Sequence, residues 1–211
     1  MTRTLIIGAN RGIGLELARQ LAGVGERVVA TSRRPSVELS ATDGVDARDG
    51  VDVTQPETIR ALAESLGPAT IDRLWMVAGV LKAVSLDSFD ADVVREQFEI
   101  NALGTVSATI QLLPCLKDGS KIALLTSRMG SIADNTSGGS YGYRMSKAAL
   151  NIAGRSLSID LEPRGIAGAF LHPGWVRTDM TSGNGLIDSD ESARGLIARL
   201  EELSLESSGK F

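Results

Sequence analysis

The sequence alternates short, continuously apolar runs with longer segments whose apolar residues recur at helical spacing. The apolar runs are rich in valine, isoleucine and leucine, and glycine or proline follows several of them. A strand that is apolar on both faces must be covered on both faces, which is typical of a parallel sheet flanked by helices. The pattern therefore predicts an α/β fold with a doubly wound parallel sheet.

The strands and helices are predicted to form one domain that spans residues 1–211. Strands are predicted at Thr4–Ile7, Arg27–Ser32, Val51–Val53, Leu74–Ala78, Lys121–Thr126 and Ile166–Leu171. Helices are predicted at Ile13–Leu21, Pro56–Leu66, Asp92–Leu113, around Tyr143, and at Glu191–Leu203. Asp179–Ser189 is rich in small polar residues and is predicted to be a mobile loop.

Charge and cysteine content exclude several classes of protein. The net charge is −4 at pH 7 and the basic residues form no long block, so neither nucleic acid nor an anionic membrane is expected as a partner. The single cysteine, Cys115, cannot support an intrachain disulfide framework or a cysteine-rich metal site. The first apolar run is too short for a signal peptide, and a cytoplasmic location is expected.

A glycine cluster, Gly8-Ala-Asn-Arg-Gly12-Ile-Gly14, lies between the first predicted strand and the first predicted helix. At such a position, backbone N–H groups and the positive end of the helix bind the pyrophosphate of a dinucleotide. A glycine-rich turn without a ligand is the alternative. The strand–turn–helix context predicts a Rossmann-type nucleotide site.

Two arginines, Arg33 and Arg34, follow the second predicted strand, where the adenosine ribose of a dinucleotide lies in this architecture. Arginine there favours the 2′-phosphate of NADP(H), whereas an acidic residue would favour NAD(H). Arg11 in the glycine cluster is predicted to join the same phosphate site. Solvated surface charge is the alternative.

Tyr143 and Lys147 are four residues apart, which places both side chains on one face of a helix. An ammonium beside a phenol favours the phenolate, so the pair predicts a lowered pKa for Tyr143 and proton transfer at a carbonyl or alcohol oxygen. Ser127 ends a strand and is predicted to hydrogen-bond a substrate carbonyl, with a turn serine as the alternative. Asn101 is predicted either to hold a water next to Lys147 or to cap a kink.

The only histidine, His172, precedes Pro173-Gly174 and follows a buried strand. No second histidine and no acidic cluster flank it at the spacing of metal ligands. A structural hydrogen-bonding role is therefore predicted for His172, and no metal site is expected.

Taken together, these motifs resemble those of the short-chain dehydrogenase/reductase family over nearly the whole chain. The glycine cluster and the segments Asn135–Gly139, Tyr143–Asn151 and His172–Met180 are most similar to the C-factor-like and sniffer-like carbonyl reductases of that family. The resemblance implies an NADP(H)-dependent oxidoreductase that reduces a ketone or aldehyde, with NAD(H) as the less favoured cofactor.

The resemblance also implies a role for each matching residue. Tyr143 would be the general acid, Lys147 would lower its pKa and bind the nicotinamide ribose, Ser127 would orient the carbonyl, and Asn101 would hold a water in a proton relay. The implied cofactor contacts are Gly8, Asn10, Arg11, Gly12, Ile13, Gly14, Arg33, Arg34, Asp52, Val53, Ala78, Gly79, Tyr143, Lys147, Pro173, Gly174, Val176 and Thr178.

The chain departs from the family pattern in three places. Met76-Val77 replaces a pair of asparagines that brace the sheet, and Ile7 replaces a threonine or serine that opens the glycine motif. Relatives continue through a further strand at about Gly209–Phe211, so the usual seventh strand is expected to be missing or vestigial. That would leave a sheet edge to be covered.

Two classes of function remain open at this point. A reductase acting on a small-molecule carbonyl is the first, and an NADP(H)-binding regulatory or signalling protein with little turnover is the second. The family's mode of assembly, through the helices that here contain Asn101 and Lys147, implies a homodimer or homotetramer. Substrate choice is expected to lie in Leu81–Ser88, Ile132–Ser140 and Met180–Asp188, which do not identify a molecule.

Overall fold

Six parallel strands form one sheet in the computed structural model, which describes residues 1–211. They are β1 (Arg3–Ile7), β2 (Arg27–Thr31), β3 (Val45–Arg48), β4 (Ile71–Met76), β5 (Leu116–Leu125) and β6 (Ala167–Leu171). Their order across the sheet is β3-β2-β1-β4-β5-β6. The order reverses between β1 and β4, and such a switch point opens a crevice at the carboxyl ends of the strands.

Helices cover both faces of this sheet. They are α1 (Gly12–Gly23), α2 (Val37–Ser40), α3 (Pro56–Leu66), α4 (Ala91–Phe98), α5 (Thr105–Leu112), α6 (Tyr141–Asp160) and α7 (Ser189–Glu202). Apolar residues of α1 and α7 pack on one face, and those of α3, α5 and α6 pack on the other. The predicted doubly wound α/β fold is confirmed. No helix combines the length and the apolar character that crossing a bilayer requires.

The predicted third strand is wrong. The strand lies earlier, at Val45–Arg48. None of its residues is fully buried, so its sequence lacks the continuous apolar run that marks the inner strands. Val51 and Val53 are buried and apolar because they pack beneath the sheet in the α3 core, not because they extend it.

The long helix predicted at Asp92–Leu113 is interrupted by a π-helical turn, Glu99–Gly104, which lies between α4 and α5. Glycine at position 104 permits this path, because a Cβ there would lie 2.8 Å from the carbonyl oxygens of both Glu99 and Val53. π-helical turns occur mostly at functional positions, and this one contains Asn101.

The sheet ends at β6, and no seventh strand follows, as the sequence predicts. The main chain of Gly168 on this edge donates to the Ser208 hydroxyl at 3.0 Å and accepts from the Gly209 N–H at 2.9 Å. Ser208 and Gly209 therefore cover part of the edge that a seventh strand would occupy.

Two helical glycines differ in the space around them, and this difference predicts opposite effects on stability. A Cβ at Gly154 would lie 2.2 Å from a Phe170 ring carbon, whereas a Cβ at Gly195 would meet nothing within 4 Å. Overpacking outweighs the gain in helix propensity at the first position, so Gly154→Ala should lower the free energy of unfolding by about 1–2 kcal/mol. Gly195→Ala should raise it by up to about 1 kcal/mol.

Urea titrations of both variants followed by circular dichroism measure these changes. Equal effects at the two positions would contradict the packing argument.

Candidate active site

The turn between β1 and α1 lies directly against the main chain that follows β4. A Cβ at Gly8, whose φ is +93°, would be 2.7 Å from the Ala78 nitrogen, and a Cβ at Gly14 would be 2.2 Å from the Gly8 oxygen. The N–H groups of Val77 and Ala78 both donate to the Ile7 carbonyl at 2.9 Å. Only glycine allows this approach, which places the start of α1 at the crevice.

A cavity of about 800 Å³ opens at this crevice. It joins the glycine turn to the ends of β2, β4 and β5 and to the start of α6. Most predicted cofactor residues line it: Gly8, Asn10, Arg11, Gly12, Ile13, Gly14, Arg33, Arg34, Asp52, Val53, Ala78, Gly79, Tyr143, Lys147, Pro173 and Thr178.

Four of the predicted site residues lie outside the wall of this cavity. Val176 is buried and pairs with Ile187 in an isolated bridge, and a Cβ at Gly174 would press on the Ile187 side chain at 2.9 Å. Both positions support the segment that carries Pro173 and Thr178. Ser127 and Asn101, the other two, are buried.

The end of the cavity beyond β2 is cationic. Arg33 and Arg34 are both exposed there, and neither forms an ion pair. Arg11 lines the same cavity and pairs with Asp179 across its mouth, with 2.9 Å between the guanidinium and the carboxylate. Asp52 is oriented by Thr54, whose N–H and hydroxyl donate to one carboxylate oxygen at 2.9 and 2.8 Å.

Lys147 is buried in α6, and only 4% of its surface is exposed. Its ammonium donates to the Leu125 carbonyl at 2.8 Å and lies 5.7 Å from the centre of the Tyr143 ring. Burial lowers the pKa of Lys147 from its ordinary 10.5 to about 8, because the charged form loses its water. No carboxylate pairs with this ammonium.

The expectation that Tyr143 has a lowered pKa is wrong for this structure. Burial of the phenol raises the pKa of Tyr143, and the Ser127 hydroxyl opposes this only in part. The Lys147 ammonium is directed at a main-chain carbonyl and does not lower the pKa of Tyr143. Tyr143 is therefore held as the neutral phenol, the form that can donate a proton.

Ser127 has the turn role that the sequence analysis gave as its alternative. Its hydroxyl oxygen accepts from the Met129 N–H at 3.1 Å and caps the short helical turn Arg128–Gly130. The same hydroxyl hydrogen-bonds the Tyr143 phenol, which opposes the rise in the pKa of that phenol.

Asn101 braces the π-helical turn against two neighbouring segments. Its side chain accepts from the Val80 N–H at 2.7 Å and donates to the Val80 carbonyl at 2.8 Å and the Ser146 hydroxyl at 3.0 Å. The side chain joins the segment after β4 to α6, one residue from Lys147. Of the two predicted alternatives, this geometry favours support of the helix irregularity.

His172 makes no side-chain hydrogen bond, so the structural hydrogen-bonding role predicted for it is not observed. It lies near Arg128 and Asp134, and its pKa is lowered by burial and by Arg128. Arg177 and Asp179 also line the cavity, although the sequence analysis did not select them. Their only signal was their position in the His172–Met180 segment.

Contacts of Arg177 with Ile187 and Asp188 join the two ends of the Asp179–Ser189 segment. The Arg177 guanidinium contacts the Asp188 carboxylate at 2.6 Å, and the Arg177 N–H donates to the Ile187 carbonyl at 2.9 Å. The short helical turn Asp179–Thr181 begins after its N-cap Thr178, and the Thr181 hydroxyl accepts from the Thr178 N–H. Mobility of this segment stays a prediction.

Comparison with known proteins gives the class to which this fold and cavity belong. Residues 2–186 match the family described as short chain dehydrogenase. The chain belongs to the short-chain dehydrogenase/reductase family of oxidoreductases.

Two curated relatives are similar over most of the chain. The first is 1-hydroxy-2-glutathionyl-2-methyl-3-butene dehydrogenase of Rhodococcus sp. (strain AD45), 40% identical over 217 residues that cover 100% of this chain and 96% of the relative. The second is C-signal of Myxococcus xanthus, 45% identical over 157 residues that cover 72% of this chain and 94% of the relative.

Two solved structures share the whole fold. Carbonyl reductase Sniffer of D. melanogaster superposes with a TM-score of 0.92 at 26% identity, covering 99% of this chain and 95% of the other. NADPH-bound carbonyl reductase from chicken fatty liver superposes with a TM-score of 0.90 at 31% identity, covering 99% and 94%. The predicted likeness to C-factor-like and sniffer-like proteins is confirmed.

The buried ammonium of Lys147 predicts a defined pH dependence of stability. Between about pH 8 and 10.5 the unfolded chain keeps the Lys147 proton while the folded protein releases it, so the free energy of unfolding rises with pH in this window. Below about pH 8 the burial penalty is present in full. The rise should reach at most about 3 kcal/mol and should be absent in Lys147→Met.

Urea titrations of the wild type and Lys147→Met at pH 7 to 10 measure the change in the free energy of unfolding. Lys210→Met, at an exposed position, is the control. A rise of equal size in wild type and Lys147→Met would contradict the assignment.

Proposed function

We propose that the protein is an NADP(H)-dependent reductase of ketones or aldehydes. The observation that carries this is the placement of a partly exposed Tyr143 and a buried Lys147 on one wall of a cavity whose opposite wall is the glycine turn. The cavity fits a dinucleotide, because side chains at Gly8 or Gly14 would close the turn where a pyrophosphate binds.

In this proposal, Gly8, Gly12 and Gly14 present main-chain groups to the pyrophosphate, and Asp52 accepts from the adenine amine. Ala78 and Gly79 lie beside the adenosine ribose, and the Pro173–Thr178 segment holds the carboxamide. Lys147 donates to the hydroxyls of the nicotinamide ribose. A bound reduced nicotinamide supplies the hydride.

The proton chemistry belongs to side chains of this protein. Ser127 donates a hydrogen bond to the substrate carbonyl oxygen and stabilises the negative charge that develops there. Tyr143 transfers its phenolic proton to the same oxygen. Lys147 then stabilises the phenolate, since its ammonium favours the charged form when the two groups approach. Asn101 positions α6 for this exchange.

Preference for NADP(H) over NAD(H) is supported by charge. Arg33, Arg34 and Arg11 line the end of the cavity beyond β2, and no acidic residue ends that strand. Guanidinium groups form strong, often bidentate, hydrogen bonds with phosphate. The chicken carbonyl reductase of similar fold was solved with NADPH bound.

Tyr143→Phe tests the mechanism, because it removes the donated proton and little else. We expect kcat for carbonyl reduction to fall at least about 100-fold, with the Kd for NADPH unchanged. Consumption of NADPH is followed by absorbance with a panel of activated ketones, quinones and aldehydes. Tyr141→Phe, two residues earlier, is the matched control, and full activity of Tyr143→Phe would reject the mechanism.

Replacement of both Arg33 and Arg34 by alanine tests the cofactor preference. We expect the Kd for NADPH to rise about tenfold while the Kd for NADH stays the same, because only the former has a 2′-phosphate. Fluorescence titration measures both constants, and Arg27→Ala at the opposite end of β2 is the control. An equal rise in the Kd values for NADPH and NADH would reject a specific role of Arg33 and Arg34 in binding the 2′-phosphate.

A regulatory or signalling role is the alternative, and the similarity to C-signal of Myxococcus xanthus favours it. Such a protein would bind NADPH tightly and reduce no member of the carbonyl panel. The retained Tyr143 and Lys147 weigh against it, since cofactor binding alone does not need a proton donor.

Assembly as a homodimer or homotetramer is part of the proposal. Exposed apolar side chains run along the helices between residues 91 and 112 and along α6, at Leu103, Ile110, Met145, Ile152 and Ile159. The three on α6 are seven residues apart and form one stripe, which a second copy would bury. Analytical ultracentrifugation tests this, and a monomer at micromolar concentration would reject it.

A cytoplasmic location is proposed as well. Cys115 is buried, its thiol donates to the Ala63 carbonyl, and burial raises its pKa, so it is an unreactive packed thiol that needs no oxidising compartment. Fractionation of cells tests the location, and recovery outside the cytoplasm would reject it.

A further inference from the structure

The chain enters α6 through three successive residues in the left-handed region. Gly138 and Gly139 have φ of +63°, and Ser140, which has a Cβ, has φ of +48°. This backbone region is unfavourable for a residue with a Cβ, so contacts outside the turn must hold Ser140 there. The turn ends three residues before Tyr143, directly at the start of the helix that carries it.

Arg144 supplies those contacts. Its guanidinium donates to the carbonyls of Gly139 at 3.2 Å and Gly138 at 3.4 Å, and to the Ser137 hydroxyl at 2.9 Å. It also donates to the Met129 carbonyl at 3.4 Å, in the short helical turn that Ser127 caps. One side chain thus joins the turn after Ser127 to the turn before Tyr143.

The same loop is fixed from its other end. Arg128, which follows Ser127, contacts Asp134 through two parallel hydrogen bonds of 2.7 and 3.0 Å. The Arg128 guanidinium lowers the pKa of Asp134, and the charges of Arg144 and His172 act in the same direction. Asp134 is committed to Arg128, and Arg144 itself has no carboxylate partner within ion-pair distance.

A partly buried guanidinium that is directed only at neutral oxygens adds no charge pairing to the fold. Its planar fork with five donors fits several main-chain acceptors at once, which a lysine ammonium cannot match. This geometry is suited to fixing a loop in one conformation. The loop in question, residues 131–139, overlaps Ile132–Ser140, one of the three segments expected to choose the substrate.

We propose that Arg144 is a positioning residue for substrate binding, which holds the 131–139 loop and the left-handed turn Gly138–Ser140 in register with Ser127 and Tyr143. The effect on substrate rests on the proposed function, whereas the effect on the loop does not. Arg144 touches neither the reacting atoms nor the cofactor cavity.

The first test needs no turnover. Amide hydrogen exchange is compared between wild type, Arg144→Met and Arg144→Lys. We expect exchange of amides 131–140 to accelerate at least tenfold in Arg144→Met and by an intermediate factor in Arg144→Lys. Exchange in the second half of α6 should be unchanged. Unchanged exchange of the loop in Arg144→Met would overturn the proposal, whether or not the protein reduces carbonyls.

The second test separates positioning from general structural damage. In Arg144→Met we expect KM for the carbonyl substrate to rise about tenfold, kcat to fall less than threefold, and the Kd for NADPH to stay constant. Arg144→Lys should lie between Arg144→Met and wild type. Arg199→Met, on the exposed side of α7, is the control and should match wild type.

Loss of kcat with unchanged KM, or a parallel rise in the Kd for NADPH, would overturn a role in substrate positioning. Absence of turnover in wild type would reject the proposed function, and the hydrogen-exchange result would still decide the role of Arg144 in the loop.

Discussion

The close approach of main chain to main chain at the end of β1 is the constraint on which the site depends. Gly8 and Gly14 let the first turn fold back on itself and lie against Ala78, and the Ile7 carbonyl accepts from two successive N–H groups after β4. These bonds hold β1 and β4 together at the switch point, although the chain lacks the asparagine pair that braces this region in relatives. The crevice therefore keeps its shape through backbone contacts.

Two ionisable groups on α6 line the crevice, and burial of one of them, Lys147, has a cost in stability. The Lys147 ammonium is desolvated and has one neutral acceptor, the Leu125 carbonyl, and the Tyr143 phenol is kept protonated by its own burial. Asn101 uses its whole amide to tie the segment after β4 to α6. Asn101 lies in the π-helical turn and donates to the Ser146 hydroxyl, so the helix irregularity is hydrogen-bonded to the residue before Lys147.

The sequence predicted the elements that are buried on both sides and missed those that are not. Inner strands have continuous apolar runs and the helices α1, α3 and α7 have apolar residues at helical spacing. Their ends were located to within five residues. The edge strand Val45–Arg48 is only partly covered and was missed. Val51 and Val53 are buried outside the sheet, and their apolar character led to the wrong prediction of a strand there. An apolar run indicates that its residues are buried. It indicates a strand only where the sheet is covered on both faces.

By itself the sequence determined the fold class, the glycine turn and the Tyr143–Lys147 pair, because glycine spacing and the Tyr143–Lys147 interval are local properties of the chain. The resemblance to the family implied most of the other residues that line the cavity. Tertiary structure alone decided the direction of the Tyr143 pKa, the engagement of the Asn101 amide and the bonds of Arg144 with the loop before α6. Each of these depends on how much water is excluded and on which distant carbonyl or hydroxyl meets the side chain, and residues far apart in the sequence set both.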